Sequence, residues 1–147
     1  MSLRRFTVLA AATSAVAIPV AAQAAKTPPT LVVRSSPWGK ILETGTGKTV
    51  YLWVKDKGDK VTCSGPCLVV WPLVKVTGKP TAGAGVNAKL IGTIKVNGAT
   101  EVTYDGHPLY LFISDTKAGV ISGEGNTSFG GPWWLVSPSG SAITKKP

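Results

Sequence analysis

Tyr51-Leu52-Trp53-Val54-Lys55-Asp56 returns as Tyr110-Leu111-Phe112-Ile113-Ser114-Asp115, 59 positions further on. Both copies read tyrosine, leucine, aromatic, aliphatic, polar, aspartate. Val50 leads the first and Leu109 the second, and a polar, glycine-bearing stretch follows each (Lys57-Gly58-Asp59; Thr116-Lys117-Ala118-Gly119). The next landmark recurs as well: Trp71-Pro72-Leu73-Val74 is answered by Trp133-Trp134-Leu135-Val136, at an offset of 62. One such unit cannot bury its own apolar face, so two copies predict one domain with a pseudo-two-fold arrangement. Within a copy the tyrosine and the next aromatic are two apart, hence on one face of a strand. Tyr51, Trp53 and Lys55 share that face; Val50, Leu52 and Val54 share the other. Both faces are apolar, which predicts a central strand over residues 49–55, covered on both sides. The two copies are expected to pack Tyr51, Tyr110, Trp53 and Phe112 into a shared core.

The rest of the chain reads as short strands and turns. Leu31-Val32-Val33 and residues 38–43 are strand candidates, and Gly45-Thr46-Gly47-Lys48 is a turn signal. Residues 75–89, rich in Gly, Pro, Ala and Lys, predict a long loop. Residues 89–96 and 100–104 flank Asn97-Gly98, a dipeptide that tolerates the positive φ of a tight hairpin turn. Residues 108–114 form the second motif strand, 122–131 a glycine-rich surface loop and 133–137 a closing strand. The only helical suggestion is a single turn at Cys67-Leu68-Val69-Val70-Trp71. The fold class is all-β: a small antiparallel sandwich or barrel-like domain of two pseudo-symmetric repeats. Its expected limits are residues 41–141, after a leader and first strand over 25–40 and before a tail over 142–147.

The start of the chain reads as a targeting segment. Arg4 and Arg5 precede an apolar run, and Ala22-Gln23-Ala24 has the small residues of a cleavage site. This predicts a signal peptide over residues 1–24. The apolar run is short for a span and Pro19 interrupts it, so no transmembrane segment is expected in the mature chain. Without Arg4 and Arg5, 14 Lys+Arg face 7 Asp+Glu, a net of +7. The lysines are spread singly, with no basic run longer than Lys145-Lys146. A solvated surface with weak association to anionic surfaces is expected, and no nucleic-acid site.

Few residues can carry chemistry. Cys63 and Cys67 flank Ser64-Gly65-Pro66, and in an exported chain this predicts a disulfide closing a tight loop. So small a ring contributes only about 2 kcal/mol. The competing reading is a thiolate metal site or a redox pair, but C-x-x-x-C is not the usual redox spacing. Only His107, the sole histidine, could complete a soft-metal set. It sits in the turn sequence Asp105-Gly106-His107-Pro108 as a solvated residue or a ligand, and without a second histidine no nucleophile–base–orienter set can be assembled. Asp56 and Asp115 end their strands, where each carboxylate can accept from the turn that follows. The sharper alternative pairs them as acids. The tryptophans read as core anchors, or as a cluster for stacking on sugar or a planar cofactor. Gly123-Glu124-Gly125-Asn126 lacks the alternating carboxylates of a calcium loop. The sequence calls for no cofactor.

In combination, the two motif copies, Thr62-Cys63-Ser64-Gly65-Pro66-Cys67 with Trp71-Pro72, residues 104–110 and Phe129-Gly130-Gly131-Pro132-Trp133 resemble the bacterial secreted-repeat family described as lipoproteins with a Yx(FWY)xxD motif. The resemblance covers about residues 41–141. It implies a bacterial envelope protein of two repeats with no established activity. This chain departs from many members in lacking a lipidation cysteine. The expected protein is therefore an exported, non-enzymatic, disulfide-closed β domain, periplasmic or extracellular, acting as a structural or binding module on an unknown envelope component. The alternative is a small metal- or cofactor-binding module in envelope redox processes, using His107 and the two cysteines. A hydrolase using Asp56 and Asp115 ranks last.

Overall fold

The computed structural model describes residues 27–147, so the expected signal peptide lies outside the described residues. The first elements are two hairpins that open the two repeats. β1 (Leu31–Ser36) pairs with β2 (Gly39–Thr44), and β5 (Ile91–Val96) pairs with β6 (Ala99–Tyr104). Ser36 stands opposite Gly39 in the first, Val96 opposite Ala99 in the second, an offset of 60 throughout. Asn97 and Gly98 turn the second hairpin with φ of 49° and 80°, the left-handed pair that matches strand twist. The repeat thus begins well ahead of the tyrosine motif.

The first motif forms β3 (Tyr51–Trp53), and the second follows β7 (His107–Pro108). Tyr51 and Tyr110 exchange both backbone hydrogen bonds, 2.9 Å in each direction. Beyond β3 lies β8 (Trp133–Val136), with Tyr51 opposite Leu135 and Trp53 opposite Trp133. Beyond Tyr110 lies the segment after α1 (Pro66–Val70): Leu73 bridges Tyr110, and Leu111 N–H donates to Pro72 O at 2.7 Å. Four segments therefore run 71–74, 109–111, 51–53, 133–136, with a pseudo-two-fold axis between the tyrosines. Each motif strand is flanked by the tryptophan segment of the other repeat. The repeats are interlaced.

Side chains alternate across these strands into two cores. Tyr51, Trp53, Tyr110, Trp71, Leu73, Trp133 and Leu135 fill one, with Ile41 and both cysteines. Val50, Leu52, Leu109, Val74 and Val136 fill the other, with Leu31, Leu42, Val102 and Tyr104. Among the described residues the fold is all-β, with antiparallel sheets, one short α-helix and two single 3-10 turns. The sheets, β1-β2, β3-β8-β9 with β9 over Ala142–Ile143, and β4-β6-β5 with β4 over Lys75–Val76 and β7 on β6, do not close into a barrel.

Several expected boundaries shift. The motif strands are shorter than residues 49–55 and 108–114. Asp56 N–H bonds Trp53 O and Asp115 N–H bonds Phe112 O, so the chain turns directly after the motif aromatic. The expected loop over 75–89 opens with β4 (Lys75–Val76) and then runs along β1, where Gly83 N–H donates to Leu31 O at 2.7 Å. A Cβ at Gly83 would sit 2.8 Å from that oxygen, so only glycine allows the approach. The strand expected at Leu31-Val32-Val33 forms as β1, extends to Ser36 and buries Leu31 fully, so it packs with residues 41–141. The expected tail contains β9 (Ala142–Ile143), which pairs with β8 because Val136 and Leu135 need an edge partner.

Candidate functional site

The two motifs are locked to each other by crossed hydrogen bonds. Tyr51 Oη donates to Asp115 Oδ2 at 2.6 Å, and Tyr110 Oη donates to Asp56 Oδ2 at 2.5 Å. The other carboxylate oxygens serve the turns. Asp56 Oδ1 accepts from Thr62 N–H at 2.8 Å and from Thr62 Oγ1 at 2.7 Å. Asp115 Oδ1 accepts from Ser122 N–H at 2.9 Å and from the Ser122 hydroxyl. Both carboxylates are buried. Desolvation, reinforced by the bond to the carboxylate, raises both phenols far above the ordinary tyrosine range, so each remains a donor at any physiological pH. The tyrosine of one repeat thus pins the turn of the other.

The aromatic residues form one continuous stack in the order Trp53, Trp133, Trp71, Phe112. Ring centroids are 4.8, 3.9 and 4.3 Å apart, and the two tryptophan pairs are parallel within 5° and 1°. Tyr51 meets Trp71 edge-on at 5.4 Å, and Tyr110 meets Trp133 edge-on at 5.0 Å. The order reads the same from either end under the pseudo-two-fold axis. The indoles also bond backbone and hydroxyl: Trp53 Nε1 donates to Gly131 O, Trp71 Nε1 to Ser128 Oγ and Trp133 Nε1 to Ser128 O.

Cys63 and Cys67 form a disulfide, buried at the edge of the aromatic core. Its first cysteine follows Thr62 directly, so the bridge anchors the residue that holds Asp56. With the sulfurs bonded to each other, the thiolates of the alternative metal reading are not present. Among the described residues, no three His, Cys, Asp or Glu side chains converge on a metal-sized space. His107 is half-buried in β7 opposite Tyr104, behind the Asp105-Gly106 turn.

One residue escaped the sequence reading. Glu101 on β6 is fully buried, and among the described residues neither carboxyl oxygen has a hydrogen-bond partner. Burial first, and the Asp56 charge second, push its pKa up to about 9 against the opposing pull of Lys75 across the β4–β6 pair. At the hairpin offset of 60, Glu101 occupies the place of Ile41, a core residue of the first repeat. That substitution of acid for isoleucine was visible in the sequence once the repeat was extended back from the tyrosine motif to the hairpins. The crossed partners of the aspartates were not visible, because nothing local distinguishes a carboxylate that caps its own turn from one that also accepts from the other repeat.

Fold and site together describe a two-repeat β domain closed by a reciprocal tyrosine–aspartate lock. The family model described as a secreted repeat of unknown function matches residues 32–75 and again residues 93–137. The chain belongs to that family. Its description as secreted supports export of this chain. Comparison with curated proteins and with solved structures gave no match. Among the described residues, no helix is long and apolar enough to cross a membrane.

Proposed function

We propose that this protein is a non-enzymatic binding module of the bacterial cell envelope, in which the motif builds the scaffold and its fourth position meets the partner. The observation that carries this reading is the split exposure of the motif. Tyrosine and aspartate are buried in the lock, whereas Val54 and Ile113, the fourth residue of each copy, are 46% and 56% exposed. Ile113 N–H bonds Val70 O and so lies beside α1, whose Val69 is 66% exposed; Val54 N–H bonds Pro132 O, three residues after the exposed Phe129. The fourth residue of each motif is therefore displayed beside an exposed apolar residue of the other repeat. The groups that a hydrolase would use, Asp56 and Asp115, are occupied by turn and tyrosine donors. The partner is an envelope component, reached in the periplasm or outside the cell.

The test is co-sedimentation of the purified mature protein with bacterial envelope fragments. Val54→Asp combined with Ile113→Asp should abolish co-sedimentation while changing stability by no more than about 0.5 kcal/mol, as is usual for exposed positions. Retention that is lost in high salt and unaffected by these substitutions would assign binding to the net positive charge instead.

A further inference from the structure

A lock needs only a donor and an acceptor. The structure supplies more than that, because both tyrosines are also in contact with a tryptophan stack. Trp71 and Trp133 are fully buried and 3.9 Å apart, and Trp53 continues the stack at 4.8 Å, itself 5% exposed. Tyr51 touches Trp71, and Tyr110 touches Trp133. Electron exchange between aromatic rings falls steeply with separation, and these rings are in van der Waals contact. We infer that the array is a proton-coupled one-electron relay, with Tyr51 and Tyr110 as the sites that hold the oxidising equivalent and Asp115 and Asp56 as their proton acceptors.

The chemistry requires a base at each phenol. A tyrosine that loses an electron becomes a strong acid and must release its proton. Asp115 Oδ2 lies 2.6 Å from Tyr51 Oη, and Asp56 Oδ2 lies 2.5 Å from Tyr110 Oη. Among the described residues neither Oδ2 has another hydrogen-bond partner, since the turn donors are on Oδ1. Each Oδ2 can therefore take a proton while the turn bonds stay in place. The step balances as follows. A one-electron oxidant takes an electron from Trp53 at the end of the stack and is reduced by one electron. The vacancy passes through Trp133 and Trp71 to Tyr51, or through Trp133 to Tyr110. The tyrosine O–H bond breaks, an O–H bond forms on the aspartate, and a neutral tyrosyl radical remains in a site closed to water. A one-electron reductant reverses it. Phe112 ends the stack on the other side with a ring that is much harder to oxidise.

The molecule contains its own control. Tyr104, the third tyrosine, is equally buried but donates to Pro138 O at 2.8 Å, a carbonyl that cannot accept a proton at neutral pH. The experiment is flash-quench oxidation of the purified mature protein by photogenerated ruthenium tris-bipyridine, read by transient absorption and freeze-quench electron paramagnetic resonance. Trp38→Phe and Trp134→Phe in the parent leave the stacked tryptophans as the only indoles. A tryptophan radical should decay into a neutral tyrosyl radical, more slowly in D2O. Tyr51→Phe with Tyr110→Phe, which keep both rings, should remove the tyrosyl signal although Tyr104 remains. Asp56→Asn with Asp115→Asn should remove it with all tyrosines present, provided circular dichroism shows the native fold. If that variant unfolds, the isotope effect and the Tyr→Phe pair decide. A tyrosyl signal that survives Tyr51→Phe with Tyr110→Phe, or a tryptophan radical whose decay is the same in every variant and in both solvents, would overturn the proposal.

Discussion

Glu101 sets the pH response of this domain. Its carboxyl moves from an ordinary 4.5 to about 9 on folding, so the folded state keeps a proton that the unfolded chain has released over that interval. The folded state then binds more protons than the unfolded one, and stability falls as pH rises from about 4.5 to about 9. This is the reverse of the usual carboxylate contribution. At about 1.4 kcal/mol per unit, the loss at pH 7 relative to pH 4 is on the order of 3 kcal/mol from this residue alone. Glu124, raised for the same reason of burial while Leu135 N–H opposes it, adds to the same slope. Glu101→Gln removes the titration and keeps the shape. Melting temperatures from pH 5 to pH 9 should decline in the native protein and flatten in the variant, which should be the more stable of the two at pH 8. Parallel profiles would show that Glu101 is ionised and solvated in the folded state.

The elements meet closely where the second repeat's loop crosses the aromatic stack. Gly123 N–H donates to Tyr51 Oη at 3.2 Å, and a Cβ there would lie 2.8 Å from the Trp71 ring and 3.0 Å from that of Tyr51. None of these buried rings can withdraw. Gly123→Ala should therefore destabilise the domain by about 1–3 kcal/mol, the range for overpacked cores, in chemical denaturation. A change below about 0.5 kcal/mol would mean that the loop yields freely. Much at this scale was legible in the sequence. Asn97-Gly98 announces its hairpin, the alternation of Val50 to Trp53 announces a strand covered on both faces, and Cys67 to Trp71 announces its single helical turn. Illegible were the contacts decided by distant partners. β9 exists only because β8 has an edge to fill, and residues 80–84 are straightened by β1 in spite of a loop composition. The same cause hid the crossed lock, since Tyr51 and Asp115 are 64 residues apart.

At the scale of the whole molecule, the interlaced repeats make neither half sufficient. Repeat one without repeat two leaves Tyr51 with no acceptor and β3 with no flanking strand; repeat two alone leaves Tyr110 with no acceptor and Trp133 with no indole to stack on. Buried donors and acceptors left unpaired cost about 1–3 kcal/mol each, and the exposed aromatic rings cost more, against a total stability of about 5–15 kcal/mol. Residues 27–86 and 87–147, prepared as separate chains, should each lack the near-ultraviolet circular dichroism of packed aromatics. Mixed in equal amounts they should regain it as a one-to-one complex, and the intact chain should unfold in a single transition. A separate half that folds alone would refute the interdependence. For a chain made from its N-terminus onward, the interlacing also works as a clock. The tryptophan segment that closes β3 is residues 133–136, which begins 80 positions after Trp53. Until those residues have been made, Trp53 has no indole to stack on and one edge of β3 stands open, so the first repeat cannot complete its core while the second is still being synthesised.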